Sequence, residues 1–183
     1  EWRSENLKRT RLLVRAEQGV GDQIMFMSVM PDLLARAAED GGSVVLECEP
    51  RLVRLMERSL SGMTVKPQAL ATVNGTVTAD YGWLKAAGGA NAVTLMGSVP
   101  RWLRSTLDSF PQQSIFLTPD AVEQTHWKKI FSGLGPSPLV GLCWRSGKSG
   151  GHRSVQYAPL EAWGAFLQAL PGTLVSCQYD ATA

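Results

Sequence analysis

Two glycine-rich loops carry the residues whose types and spacing suit chemistry. The first is EQGVGDQ, residues 17–23, which follows the apolar run LLV at 12–14. Asp22 stands where a strand hands over to an amphipathic segment, beside Gly19 and Gly21. One reading makes Asp22 a helix cap, worth on the order of 1 kcal/mol. The other makes it a general base. The dipole and amide donors of a helix N-terminus favour a charged carboxylate. Such a group can take a proton from an incoming hydroxyl, and glycines beside it leave room for substrate. Cap and base are compatible. A dinucleotide fingerprint fits less well. Gly19 and Gly21 match it and Glu47 could stand for the ribose-binding acid, but Ile24 occupies the place of the third glycine. Asp22 would also set a negative charge against the pyrophosphate.

The second loop is WRSGKSGGHRS, residues 144–154. It contains three glycines together with Arg145, Lys148, His152 and Arg153. Glycine-rich backbone with cations is a phosphate-binding composition, although the Walker pattern G-x-x-x-x-G-K-[ST] is absent. The plain alternative is a solvated basic loop. His152 and His126 read as surface residues. No His, Cys and carboxylate set has metal-ligand spacing, and no order of residues suggests a Ser-His-Asp triad.

Both loops need strands and helices to hold them. Residues 11–16 read as a buried strand, 22–38 as a helix and 43–49 as a second strand. The segment PRLVRLMERSL reads as a helix opened by Pro50, and MTVKP as a third strand. Strands and helices alternating at this spacing imply an α/β protein with a parallel sheet. NGT at Asn74 reads as a turn, and residues 67–92 show no clear pattern. TLMGSVPRWLRSTLDSF reads as strand, turn and helix, and TPDAVEQTHWKKIFSGLG as a capped helix. GPSP, residues 135–138, is the linker. After it the pattern restarts: strand LVGLCWR, the basic loop, helix PLEAWGAFLQAL and strand TLVSCQY. Two domains are therefore expected, 1–135 complete and 136–183 only the beginning of a second. An incomplete unit would leave apolar surface open to self-association.

Composition agrees with a globular protein: 183 residues, 44% hydrophobic, formal net charge +2. Dispersed charge gives no nucleic-acid footprint. No apolar run reaches membrane-spanning length, and the first residues lack a signal-peptide core. The three cysteines, Cys48, Cys143 and Cys177, lie in apolar strand-like runs. They read as buried free thiols of a cytoplasmic protein.

The segments LLVRAEQGVGDQIMFMSVMPDL, VVLECEPRLVRLMERSLSGM, MGSVPRWLR, VGLCWRSGK, HRSVQYAPLEAW and LVSCQYD, in that order, carry a resemblance. The chain resembles the glycosyltransferase-like region that follows tetratricopeptide repeats in many bacterial proteins. That region is similar to the lipopolysaccharide heptosyltransferases and, more distantly, to the O-linked N-acetylglucosamine transferases. The resemblance implies a GT-B fold, with two Rossmann-like domains: acceptor and base on the first, nucleotide-sugar donor on the second. It places Asp22 at the position of the heptosyltransferases' catalytic aspartate. It places Ser146, Gly147, Lys148 and Arg153 in the loop that binds donor phosphates. It implies inverting, metal-independent transfer to an acceptor hydroxyl, with no cofactor beyond the donor. A non-catalytic carbohydrate- or protein-binding module of a repeat protein is the alternative.

Overall fold

The computed structural model describes residues 1–112, 115–145, 155 and 157–178. It divides into two units, Glu1–Asp120 and Ala121–Ala183. The sequence reading drew its boundary one helix later, after residue 135.

The first unit is built on a four-stranded parallel sheet. Strand β1, Arg11–Arg15, pairs with β2, Ser43–Cys48, in the register Leu13↔Val45. β3, Thr64–Pro67, lies outside β2. β6, Ala92–Leu95, lies on the other side of β1. Leu12, Leu13 and Val14 are all buried, as are Val44, Val45 and Leu46. Continuous burial of consecutive residues means that both faces of the sheet are covered, as parallel sheets require. This is why these strands read as unbroken apolar runs.

Helices cover the sheet. α1 is Val20–Met27 and α2 is Met30–Asp40. The single helix expected over 22–38 is therefore two, parted at Ser28 and Val29. Pro31 explains the break: it has no N–H to donate to the preceding turn, so the helix restarts with Pro31 in its first turn. A short 3₁₀ turn, Pro50–Leu52, leads into α3, Val53–Ser59. Met27, Met30, Leu33, Met56, Met96 and Val99 are buried in one apolar cluster with the strand residues. The core is rich in methionine, which fills irregular gaps between helix and sheet.

Residues 67–92, unreadable in sequence, hold a hairpin and a short helix. β4, Leu70–Val73, and β5, Thr76–Ala79, pair antiparallel. Asn74 and Gly75 both have positive φ, 50° and 77°, which a two-residue hairpin turn demands. α4 follows at Gly82–Ala86 and α5 at Val99–Leu103. Arg104, just after α5, has a side chain only 3% exposed. It donates to both oxygens of Asp32, at 2.7 and 3.2 Å, and to the Ser28 carbonyl at 2.9 Å. It so closes the gap between α1 and α2.

In the second unit α6 is Ala121–Ser132, α7 is Gly164–Ala169, and β7, Leu139–Leu142, pairs parallel with β8, Thr173–Ser176. Among its described residues only Gln178 is buried. Two strands with short helices cannot cover both sheet faces. Cys48 is buried as expected, but Cys143 and Cys177 are exposed, because among the described residues nothing covers them. Among the described residues no helix is long and apolar enough to cross a membrane.

The turn from α2 into β2 leaves no room for a side chain. Gly41 ends the helix with φ 74°. A Cβ on Gly42 would lie 2.3 Å from the Leu7 carbonyl oxygen and 2.9 Å from that of Thr10. Gly42→Ala is expected to destabilise the first unit by about 1–3 kcal/mol, since backbone must move. Urea denaturation followed by circular dichroism checks this.

Candidate functional site

An open parallel sheet binds ligands at the carboxyl ends of its strands, where the strand order reverses. Here the chain runs outward from β1 to β2 and β3, then returns to the far side of β1 as β6. The reversal lies between β1 and β6, and the loop bearing Asp22 leaves β1 at that end.

Three side chains hold this loop. The Ala16 N–H donates to Glu47 Oε2 at 3.1 Å, joining the loop to β2. The Gly97 N–H donates to Glu17 Oε1 at 2.6 Å, joining it to the turn after β6. The Glu49 N–H donates to Gln23 Oε1 at 2.9 Å, so α1 is joined to the end of β2. Gln18 takes a positive φ of 61° to turn the chain into the helix. A Cβ on Gly97 would come within 2.5 Å of Glu17 Oε1 and 3.2 Å of the Phe26 ring. Neither Glu17 and Gly97 nor Gln23 was singled out from the sequence. A glutamine on an apolar helix face is the one signal that could have found Gln23; Glu17 and Gly97 carry none.

Asp22 is not the first capping residue of α1. Gly19 holds that place and Asp22 stands three residues on, where its Oδ2 accepts the Gly19 N–H at 3.2 Å. This is the returning half of a capping box. The side chain is half-buried, and its Oδ1 has no partner among the described residues. Around it the backbone is open: a Cβ on Gly21 would meet nothing within 4 Å, and one on Gly19 would lie 3.4 Å from Asp22 Oδ2. Glycine is therefore not demanded by backbone strain at either position.

Glu47 does not face a ribose. It is fully buried, with Oε2 accepting from Ala16 and, at 3.4 Å, from the Tyr81 hydroxyl. Its Oε1 has no partner among the described residues. Burial pushes its carboxyl above the usual carboxylate range, against the pull of the Ala16 N–H and the Arg15 charge. The Tyr81 hydroxyl is raised too, first by burial and then by Glu47, so it remains a donor. Arg15 Nε donates to the Tyr81 oxygen, and the guanidinium lies 5.2 Å from the ring centre. Cys48, next to Glu47, is an inert thiol: burial, reinforced by Glu49, Glu47 and Glu57, pushes it up to about 12. Ile24, where a dinucleotide site needs glycine, packs against the core.

In the second unit, Gln178 clamps the root of the basic loop. Its Oε1 accepts the Arg145 N–H at 3.3 Å and its Nε2 donates to the Arg145 carbonyl at 3.1 Å. Ser146, Gly147, Lys148, His152 and Arg153 lie outside the described residues. Among the described residues no group of three or more His, Cys, Asp or Glu side chains is placed to hold a metal ion.

The chain is similar to Protein FlbA of Caulobacter vibrioides, 32% identical over 178 residues, which is 97% of this chain. It spans 30% of the length of that curated relative. No family model matches the chain, and no solved structure does.

The raised Glu47 carboxyl has a consequence for stability. The folded state holds its proton more firmly than the unfolded chain does. The stability this contributes is full below the ordinary carboxylate range and is lost as pH rises through the raised folded value. Glu47→Gln keeps an acceptor for Ala16 and removes the titration. Its stability relative to wild type is therefore expected to improve as pH rises across that window, read by urea denaturation in a pH series.

Proposed function

We propose that the chain is the acceptor-side domain and the start of the donor-side domain of an inverting, GT-B-type glycosyltransferase related to the heptosyltransferases. Each domain is Rossmann-like in this reading. The observation that carries it is Asp22: a half-exposed carboxylate, one oxygen unpartnered among the described residues, at the carboxyl end of a parallel sheet next to an open glycine. The acceptor hydroxyl gives its proton to Asp22 as its oxygen attacks the anomeric carbon of a nucleotide-sugar. The bond from that carbon to the nucleoside diphosphate breaks, and configuration inverts. Lys148 and Arg153 stabilise the departing diphosphate, whose charge grows in the transition state. Ser146 and Gly147 supply neighbouring donors. Glu47 is a support for the loop and no ribose ligand, which weighs against a dinucleotide enzyme.

One observation favours a second reading. The bond from Gly19 N–H to Asp22 gives the acid a structural reason to be there. A non-catalytic module binding carbohydrate or protein would need no more.

Asp22→Asn separates the two. Asparagine still offers an oxygen to the Gly19 N–H but cannot act as a base. Turnover of the full-length protein, assayed over a panel of nucleotide-sugars, is expected to fall about 10²–10⁴-fold with an unchanged melting temperature. Unchanged turnover would reduce Asp22 to its capping role.

For the second loop, Lys148→Ala and Arg153→Ala are each expected to weaken nucleoside diphosphate binding about tenfold or more, as loss of a charge-assisted hydrogen bond does. Titration calorimetry on the same protein checks this. Wild-type affinity in both variants would make the loop a solvated basic surface.

A further inference from the structure

A cavity of about 270 Å³ opens at the strand-order reversal, lined by Arg15, Val93, Thr94, Leu95 and Glu1. It lies at the carboxyl ends of β1 and β6. Among the described residues its basic side chain is Arg15 and its acidic one Glu1. Glu1 is exposed and turned toward Arg3, at 3.8 Å, so its charge is offset from outside the cavity.

Arg15 is held in place without being neutralised. Its Nε is engaged by the Tyr81 oxygen and its guanidinium stacks on the Tyr81 ring. Tyr81 is fixed in turn by its O–H···Oε2 bond to buried Glu47. Among the described residues no carboxylate lies within ion-pair distance of Arg15. Its two terminal nitrogens likewise have no hydrogen-bond partner there. A planar guanidinium pinned through Nε and one face, with its terminal fork unused, is preorganised for an oxyanion. An arginine whose purpose was to balance Glu47 would bond to it directly; here the tyrosine stands between them.

We propose that Arg15 binds the anionic group, carboxylate or phosphate, of a small ligand seated in this cavity. The volume is just below the roughly 300 Å³ at which ordinary ligand clefts begin, which suits one sugar-sized unit. That this ligand is the acceptor rests on the proposed function; the binding itself does not. Arg15 recognises the anion, and Tyr81 is its positioning residue.

The test is titration of the full chain with glucuronate, inorganic phosphate and glucose, followed by amide shifts of Thr94 and Leu95 in NMR spectra. Glucuronate or phosphate is expected to shift these amides and glucose to leave them in place. Whichever anion binds more tightly identifies the group. Arg15→Gln is expected to weaken anion binding about tenfold. Arg15→Lys, which keeps charge and loses the fork, should fall between. Tyr81→Phe should weaken it while the ring still packs. Anion binding by Arg15→Gln equal to wild type, or glucose binding as tightly as glucuronate, overturns the proposal. Anion binding with no sugar transfer overturns only the catalytic reading; transfer that is indifferent to Arg15 overturns only the identification of this ligand as the acceptor.

Discussion

The hydrogen bond from the Ala16 N–H to the buried carboxylate of Glu47 is the contact on which the site depends. A carboxylate with no exposure to water is costly unless it is bonded. Glu47 meets that demand by taking the first backbone donor past β1 and the hydroxyl of Tyr81. One residue of β2 thereby fixes where β1 ends. It also fixes where the loop turns and where Tyr81 holds Arg15. The Glu17–Gly97 and Gln23–Glu49 bonds repeat this device at the flanks. The loop that carries Asp22 is tied to both neighbouring strands before α1 begins.

This arrangement separates support from chemistry. Glu47 and Gln23 are buried and Glu17 is half-buried, and each accepts from a backbone N–H, while Asp22 and Arg15 each keep an unused face. Asp22 does both jobs at once, one oxygen on the Gly19 N–H and the other open. A capping acid and a base need the same placement, because a helix N-terminus both wants a carboxylate and favours its charged form. The second unit uses the same principle with a neutral group: Gln178 pairs both backbone groups of Arg145, at the root of the basic loop.

Local pattern was enough for the strands of the two parallel sheets and for most helices, but not for the β4–β5 hairpin. The runs at 12–14 and 44–46 are apolar without alternation because both sheet faces are covered, so burial is written in consecutive residues. Pro50 marked a helix start and Asn74-Gly75 a turn, since each is a local backbone restriction. The break in the α1–α2 segment was also local, in Pro31, but the apolar periodicity on either side of it masked the proline. Cys143 and Cys177 were misjudged because apolar neighbours in sequence do not show whether a second layer covers them.

The sequence by itself determined the α/β character, the parallel strands, the placement of a glycine-flanked acid at a strand-to-helix turn, and the basic composition of the second loop. These depend on residue type and near-neighbour spacing. Only the tertiary structure decided that Glu47 turns inward to Ala16, that Glu17 meets Gly97 across 80 residues, and that Tyr81 comes from an unreadable stretch to hold Arg15. Such bonds join residues remote along the chain, and their partners are backbone groups, which every residue carries. Composition and spacing leave no mark of them; the packing of the sheet brings each donor to its acceptor.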